Sequence, residues 1–221
     1  MKAAIFVGPG ELELQEIPDP HAGPGEVVIR VGANTVCGTD GRILRGEKSK
    51  GIDRGIVLGH EFSGYVTEVG AGVEDFHEGE LIGGVPTVPC LRCYYCQHGK
   101  EHLCTDSRII GYRINGGLAE YMKFPREAIE RRCVFHAAAH LSPAEVSLAE
   151  PLGCVLNGAT QYQTHVGDTV LIIGAGPIGL LHTQVNRLLG ASQIIVSDPS
   201  APRREVAKQF GATHTVDPTA T

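Results

Sequence analysis

The chain has 221 residues, 42% of them hydrophobic and 20% charged, close to average globular usage. That length fits one large domain or two modest ones, each able to bury a core, and excludes low complexity and disorder. A net charge of −6 without a basic cluster speaks against a nucleic-acid partner.

The apolar N-terminal run from Met1 to Gly8 is too short for a signal peptide. The longest apolar stretch, Val170 to Leu181, is broken by Gly and Pro and falls short of a membrane span. A cytoplasmic protein with no membrane partner is therefore expected. Ala3–Val7, Leu12–Ile17, Val27–Val31 and Phe62–Val69 read as short strands bounded by Gly-Pro, Pro-Gly and Gly-Gly turns, and suggest a partly open barrel with functional loops. At Ser142 the character changes. Ser142-Pro143-Ala144-Glu145 carries the cap, the N1 proline and the N3 glutamate of a helix start. A second helix is expected from Pro151 to about Thr164.

Asp168–Ile173 is a continuous apolar run, read as a parallel strand buried on both faces. A Gly-rich turn over Gly174–Gly179 leads into a helix on which Ile178, Leu181, Val185, Leu188 and Leu189 share a face. Gln193–Ser197, about Ala201–Phe210 and His214–Val216 complete a β-α-β-α-β order, the first half of a doubly wound sheet. A full sheet of that type has about six strands, so the chain is expected to be a fragment or to need a further segment.

Seven cysteines with no export signal favour metal or catalytic thiolates over disulfides. Cys90-x2-Cys93-x2-Cys96-x7-Cys104 can close a tetrahedral shell around one structural zinc, with Arg92, His98 and Lys100 offsetting the surplus charge. A disulfide pair and an iron–sulfur cluster are the alternatives on spacing. Cys37-Gly38-Thr39-Asp40 and Gly59-His60-Glu61 offer Cys, His and Glu, the ligand types of a site that keeps an open position, although neither piece is specific alone. Gly174-Ala175-Gly176-Pro177-Ile178-Gly179 lies between a strand and a helix, the context of a dinucleotide fingerprint. Gly174 serves the turn, Gly176 the approach of the pyrophosphate and Gly179 helix packing. Asp198, ending the second strand, is placed for the ribose hydroxyls and would repel a 2′-phosphate, which favours NAD. Arg203 could weaken that preference or lie against the adenine.

In this order the motifs, joined by Ala149-Glu150-Pro151-Leu152, resemble the zinc-dependent medium-chain dehydrogenases, and within them the sorbitol (polyol) and threonine dehydrogenase branch. The resemblance covers the whole chain. It implies a fold of α/β plus β class: a GroES-like zinc-binding catalytic domain over residues 1–150, then an incomplete Rossmann domain over 151–221, with zinc and nicotinamide in a cleft between them. It assigns Cys37 and His60 as ligands of a catalytic zinc. Two carboxylates, Glu61 and Glu150, are candidates for one further position. Asp40 matches the carboxylate that orients the histidine ligand, and Thr39 the hydroxyl that touches the reacting oxygen. Cys133 and Cys154 are expected to be buried packing. Arg42 stands where the branch has a histidine, and an arginine cannot relay a proton. It could clamp an anionic or polyhydroxylated substrate, or be drift at a surface site.

The implied activity is hydride transfer between a secondary alcohol (a polyol, sugar alcohol or hydroxy amino acid) and NAD, with two zinc ions per chain, in a homodimer or homotetramer. Two other readings are a non-catalytic nucleotide-binding or scaffold zinc protein and a zinc-free reductase of the same superfamily. The second has no use for Cys37, His60 and Glu150.

Overall fold

The computed structural model describes residues 1–220, which form two compact units, Met1–Glu150 and Pro151 onward. No helix among them is long and apolar enough to cross a membrane. The first unit opens with a hairpin, β1 (Lys2–Gly8) and β2 (Glu11–Glu16), turning at Gly10 with φ of +83°. Then follow β3 (Val27–Thr35), α1 (Gly38–Leu44), β4 (Ile56–Val57), β5 (Glu61–Val69), β6 (Leu81–Gly84) and β7 (Thr87–Val88). A cysteine-rich lobe holds α2 (Tyr94–Gln97) and a 3-10 turn over Glu101–Leu103. Next come β8 (Arg108–Ile109), β9 (Tyr121–Phe124), α3 (Arg126–Glu130), β10 (Val134–His136) and α4 (Pro143–Ser147).

The main sheet is antiparallel with order β10-β6-β5-β3-β9, beside a smaller β2-β1-β4 sheet and a β7-β8 pair. Alternation along its strands sends Val27, Ile29, Phe62, Val66, Ile82, Met122 and Phe124 into one core, where Phe62 and Phe124 meet edge to face. A second core gathers Phe6, Ile43, Ile56, Leu58 and Tyr112 beneath α1. The cap read at Ser142 is present: Glu145 accepts from the Ser142 N–H at 2.7 Å, and Ser142 Oγ accepts from the Glu145 N–H at 3.3 Å. From there α4 lies on β3, β5 and β6, and Ser63 Oγ donates to the Pro143 carbonyl at 2.6 Å.

α5 (Ala149–Tyr162) precedes β11 (Thr169–Ile173), α6 (Pro177–Leu188), β12 (Gln193–Ser197), α7 (Ala201–Gln209) and β13 (His214–Val216). The three strands are parallel in the order β11-β12-β13, with α6 on β11 and β12 and α7 on β12 and β13. Ile172, Ala175, Ile194, Val196 and Ala207 form their core.

Three expectations from the sequence need correction in this unit. β11 is not buried on both faces: Leu171 and Ile173 are 60% and 85% exposed, because α6 and the core cover its Ile172 side and nothing among the described residues covers the other face to the same depth. α6 buries Thr183, Val185 and Asn186 with Leu181 half-buried, while Leu188 is 87% exposed, so the packed face shares Val185 and Leu181 with the apolar face read from periodicity but is turned away from Leu188. Cys154 is exposed, because α5 buries the stripe Pro151, Val155 and Ala159 and position 154 lies off it. Cys133 is buried as expected, with its thiol 3.5 Å from the Thr87 carbonyl. A recess of about 500 Å³ runs along β11, lined by Tyr162, Thr164, His182 and Asn186 as well as the strand.

The main core sets a stability prediction. Phe124, fully buried against Phe62, should lose about 3–5 kcal/mol on substitution by alanine. Urea unfolding of the Phe124→Ala chain followed by circular dichroism measures it.

Candidate metal and dinucleotide sites

The ligand atoms of Cys37, His60 and Glu61 lie within 4.8 Å of one another. Antiparallel pairing of β3 with β5 sets Thr35 opposite Glu61, and the Thr35 hydroxyl donates to the Glu61 carboxylate. Two residues past the end of β3 at Thr35, Cys37 keeps extended backbone and becomes the N-cap of α1. Its N–H donates to Asp40 Oδ2 at 2.9 Å, so the helix start and the acid fix each other. One residue before Glu61, His60 follows Gly59, whose φ of +93° and contact with Asn34 Oδ1 leave no room for a side chain. The strand-like segment ahead of it is held by Gly116, Gly117 and Leu118, which donate to the carbonyls of Val57, Gly59 and Leu58.

His60, Asp40 and Glu61 are all buried. His60 Nδ1 sits 3.3 Å from Asp40 Oδ1, out of line for a hydrogen bond, and both atoms are buried without another partner. Burial opposes charge on His60, but Asp40 and Cys37 outweigh it and push its pKa up to about 10. The nearby Tyr112 phenol is raised as well, first by burial and then by the negative charges of Asp40, Cys37, Glu150 and Glu61. Glu150 lies half-buried in the first turn of α5, and its charge reaches the same phenol. This excess of buried negative charge around one imidazole fits a bound cation, and a thiolate, an imidazole and a carboxylate suit zinc. Thr39 is half-buried in the first turn of α1. Arg42 is exposed, with Nε 3.8 Å from Glu47.

The four lobe cysteines also converge, with sulfurs inside 4.8 Å of one another. The Cys93 N–H donates to Cys90 Sγ at 3.4 Å and the Cys90 N–H to Cys104 Sγ at 3.3 Å. Leu91, at φ +58°, makes the turn between the first two. Backbone hydrogen bonds lower Cys93 to about 6, whereas burial and its neighbouring thiols push Cys96 up to about 12. Thiols crowded this way share too little positive charge for all to ionise, and a divalent ion would supply it. Of the basic residues read as offsetting them, Arg92 pairs with Asp106 at 2.8 Å and feels the Cys90 charge, while His98 stacks on Tyr94.

In the second unit, Gly174 at φ +101° turns the chain out of β11. Gly176 is the N-cap of α6, with Pro177 and Ile178 opening its first turn. A Cβ on Gly179 would overlap the Gly174 carbonyl, so only glycine lets α6 approach the strand. Asp198 accepts from the Ala175 N–H and the Ser200 N–H, each at 2.8 Å, which pins the Gly-rich loop to the end of β12. Those two bonds hold its carboxyl below the usual range, with a smaller contribution from exposed Arg203. Arg204 donates to the Asp198 carbonyl at 2.6 Å and pairs with Asp217 at 3.0 Å.

Comparison with known proteins agrees with both units. The profile of the alcohol dehydrogenase GroES-like domain matches residues 23–132, and that of the zinc-binding dehydrogenases matches 177–221. The chain belongs to the zinc-dependent medium-chain alcohol dehydrogenase family. It is 36% identical over 220 residues to the L-threonine 3-dehydrogenase of Cutibacterium acnes, covering 98% of this chain and 62% of that one. A zinc-binding dehydrogenase of Sinorhizobium meliloti, solved with NADP, superposes with a TM-score of 0.93 at 39% identity, over 100% of this chain and 62% of its own. Galactitol-1-phosphate dehydrogenase from Escherichia coli gives 0.90 at 32%, with the same coverage. The chain thus spans about 62% of the length of these relatives. Its fold is a GroES-like unit plus part of a Rossmann-type unit.

Sequence reasoning missed Tyr112, whose ring meets His60 edge to face at 5.5 Å. No motif marks it, because only the folded chain brings Ile109–Tyr112 beside α1. It also missed Arg204, one residue from Arg203 in a run where the helix phase decides which arginine turns inward.

The anchoring role of Asp198 is testable through pH. Its folded-state value lies below 3.8, so the stability it contributes is whole above that value and is lost as pH falls through the lower one. Asp198→Asn should therefore lower Tm at neutral pH, and the gap from wild type should narrow as pH falls below 3.8 and through the lowered folded-state value. Thermal unfolding followed across a pH series from neutral downward measures this.

Proposed function

We propose that the chain is the zinc- and NAD-binding part of an oxidoreductase that moves a hydride between a secondary alcohol and NAD. The observation that carries this reading is the convergence of Cys37, His60 and Glu61 with Asp40 behind the histidine. In it, residues 1–150 are the zinc-binding catalytic domain and residues from 151 onward the NAD-binding domain. Cys37 and His60, with Glu61 or Glu150, hold a catalytic zinc, and Cys90, Cys93, Cys96 and Cys104 a structural one.

Zinc bound at the first site supplies Lewis acidity that lowers the pKa of a substrate hydroxyl, and NAD supplies the hydride acceptor. Asp40, whose Oδ1 lies 3.3 Å from His60 Nδ1, would orient the ring and fix its tautomer by accepting from Nδ1–H once the two come into line. The Thr39 hydroxyl would accept a hydrogen bond from the substrate hydroxyl and, as it takes that proton, pass its own to water, so that it relays the proton rather than keeping it. Glu61, tethered by Thr35 and grouped with Cys37 and His60, and Glu150 would each be able to offer a carboxylate to the metal, so that either could release it when the other binds. The N–H groups opening α6 receive the pyrophosphate between Gly174, Gly176, Pro177, Ile178 and Gly179. Each Asp198 oxygen spends one lone pair on the backbone and keeps another for a ribose hydroxyl, and the charge disfavours a 2′-phosphate. Arg203 lies at the same ribose end.

The substrate class is a small polyol, sugar alcohol or hydroxy amino acid. A thiolate-rich protein of this kind suits a reducing compartment such as the cytoplasm, and a homodimer or homotetramer is the proposed assembly.

Metal analysis with an NAD-reduction screen over polyols, inositols and β-hydroxy amino acids tests the reading. Wild type should hold two zinc ions, and Cys37→Ser and Cys104→Ser one each. Asp40→Asn should weaken the catalytic zinc about 10–100-fold. A single zinc in wild type, untouched by Cys37→Ser, together with no turnover, would favour a non-catalytic binding protein.

A further inference from the structure

We propose that Lys48 is a specificity-determining residue that anchors an anionic group, a phosphate or a carboxylate, on the alcohol this site accepts. The inference rests on the reading of Cys37 and His60 as the ligands beside the reacting hydroxyl.

Lys48 lies in the turn that follows α1. The backbone there is fixed: Arg45 caps the helix, Gly46 takes φ +75°, and the N–H groups of Glu47 and Lys48 both donate to the Arg42 carbonyl, at 2.9 and 3.2 Å. The Lys48 ammonium sits 5.0 Å from the centroid of the Tyr112 ring. That same ring meets the imidazole of His60 edge to face at 5.5 Å. One phenol ring therefore separates a half-buried ammonium from a proposed metal ligand. The ring itself cannot drift, because it is packed with Ile43, Ile56 and Leu58, and the Asp53 N–H holds its carbonyl at 2.9 Å.

The two arginines of this turn are engaged. Arg45 holds Glu47 through two bonds at 2.6 and 3.2 Å, and Arg42 lies 3.8 Å from the same carboxylate. Neither of these ion pairs takes in Lys48. Its charge rests on an aromatic face at the side of the metal ligands, which leaves its three donors available to an incoming anion. A substrate whose hydroxyl lies at Cys37 and His60 and whose anionic group lies a few bonds away would span the edge of Tyr112 and reach it.

The competing role for Lys48 is that of a counter-charge to the acidic ligand cluster. The two roles differ in what they affect: a counter-charge alters metal retention and every alcohol alike, whereas an anchor alters anionic alcohols only. Isothermal titration of the zinc-loaded chain with sn-glycerol 3-phosphate, 3-hydroxybutyrate and neutral 2,3-butanediol separates them, using wild type, Lys48→Met and Lys48→Arg. Wild type should bind at least one anionic probe about tenfold more tightly than butanediol. Which anionic probe gains identifies phosphate or carboxylate. Lys48→Met should erase that advantage while leaving butanediol affinity and zinc content unchanged, and Lys48→Arg should retain most of it. The advantage should also shrink with added salt. The proposal is overturned if wild type binds no probe or shows no anionic preference. It is equally overturned if Lys48→Met weakens all three probes or releases zinc. Zinc missing from the Cys37 site in wild type overturns the proposed function itself, whereas full zinc with butanediol binding but no anionic gain overturns only the role of Lys48.

Discussion

The pairing of β3 with β5 is the constraint on which the first unit and its Cys37–His60–Glu61 cluster depend. It is the most extensive strand contact of the first unit, running from Val27 opposite Val69 to Thr35 opposite Glu61, with two irregularities in register along the way. Cys37 lies just past one end of the ladder and His60 just before the other strand begins, so the ladder decides that they meet. Side chains alternate with period two, and a slip of one residue would turn Phe62 and Val66 out of the core and carry Glu61 away from Thr35. Burying Val27, Ile29, Phe62 and Val66 therefore holds the register of the site as well as the fold. A hydrophobic core is positioning polar chemistry several residues beyond its own edge.

The cysteine-rich lobe works differently. Its helix has four residues, its 3-10 turn three, and Leu91, Tyr94 and Leu103 are exposed. So little apolar surface is buried there that four converging sulfurs have to replace a core, and a bound ion would act as the cross-link. The second unit relies on yet another device. Asp198 joins the end of β12 to the loop after β11, and Arg204 joins it to the start of the segment after β13. Charge-assisted bonds at the carboxyl ends of the strands thus keep the N-terminal end of α6 in place.

Local signals were legible in the sequence. The cap at Ser142, the glycines of the 174–179 turn and the four-cysteine spacing all operate within a few residues, so reading the chain in order suffices. Cys37 and His60 were legible only through their joint resemblance to a family pattern, since their meeting depends on a ladder between distant strands. Where context from other elements decided the outcome, periodicity misled. β11 has the composition of a doubly covered strand, yet only its Ile172 side is packed. Leu188 has the apolar character of a core residue, while the packed face of α6 includes Thr183 and Asn186, whose polar atoms are bonded to the Gly179 and His182 carbonyls. Tyr112 and Lys48 carry no motif, and their relation to His60 arises only once the turn after α1 folds back.

β11 has a consequence for the behaviour of the polypeptide as a material. One side of the strand offers a row of backbone donors and acceptors to which no neighbour in the β11-β12-β13 sheet is bonded, flanked by the outward side chains of Leu171 and Ile173. Neither proline nor lysine interrupts that stretch, so none of the usual gatekeepers blunts it. Such a margin is adhesive: it templates strand addition, and two molecules meeting there can zip together. The five residues that lead into the Gly-rich loop are thus also the stretch of this chain most open to strand addition.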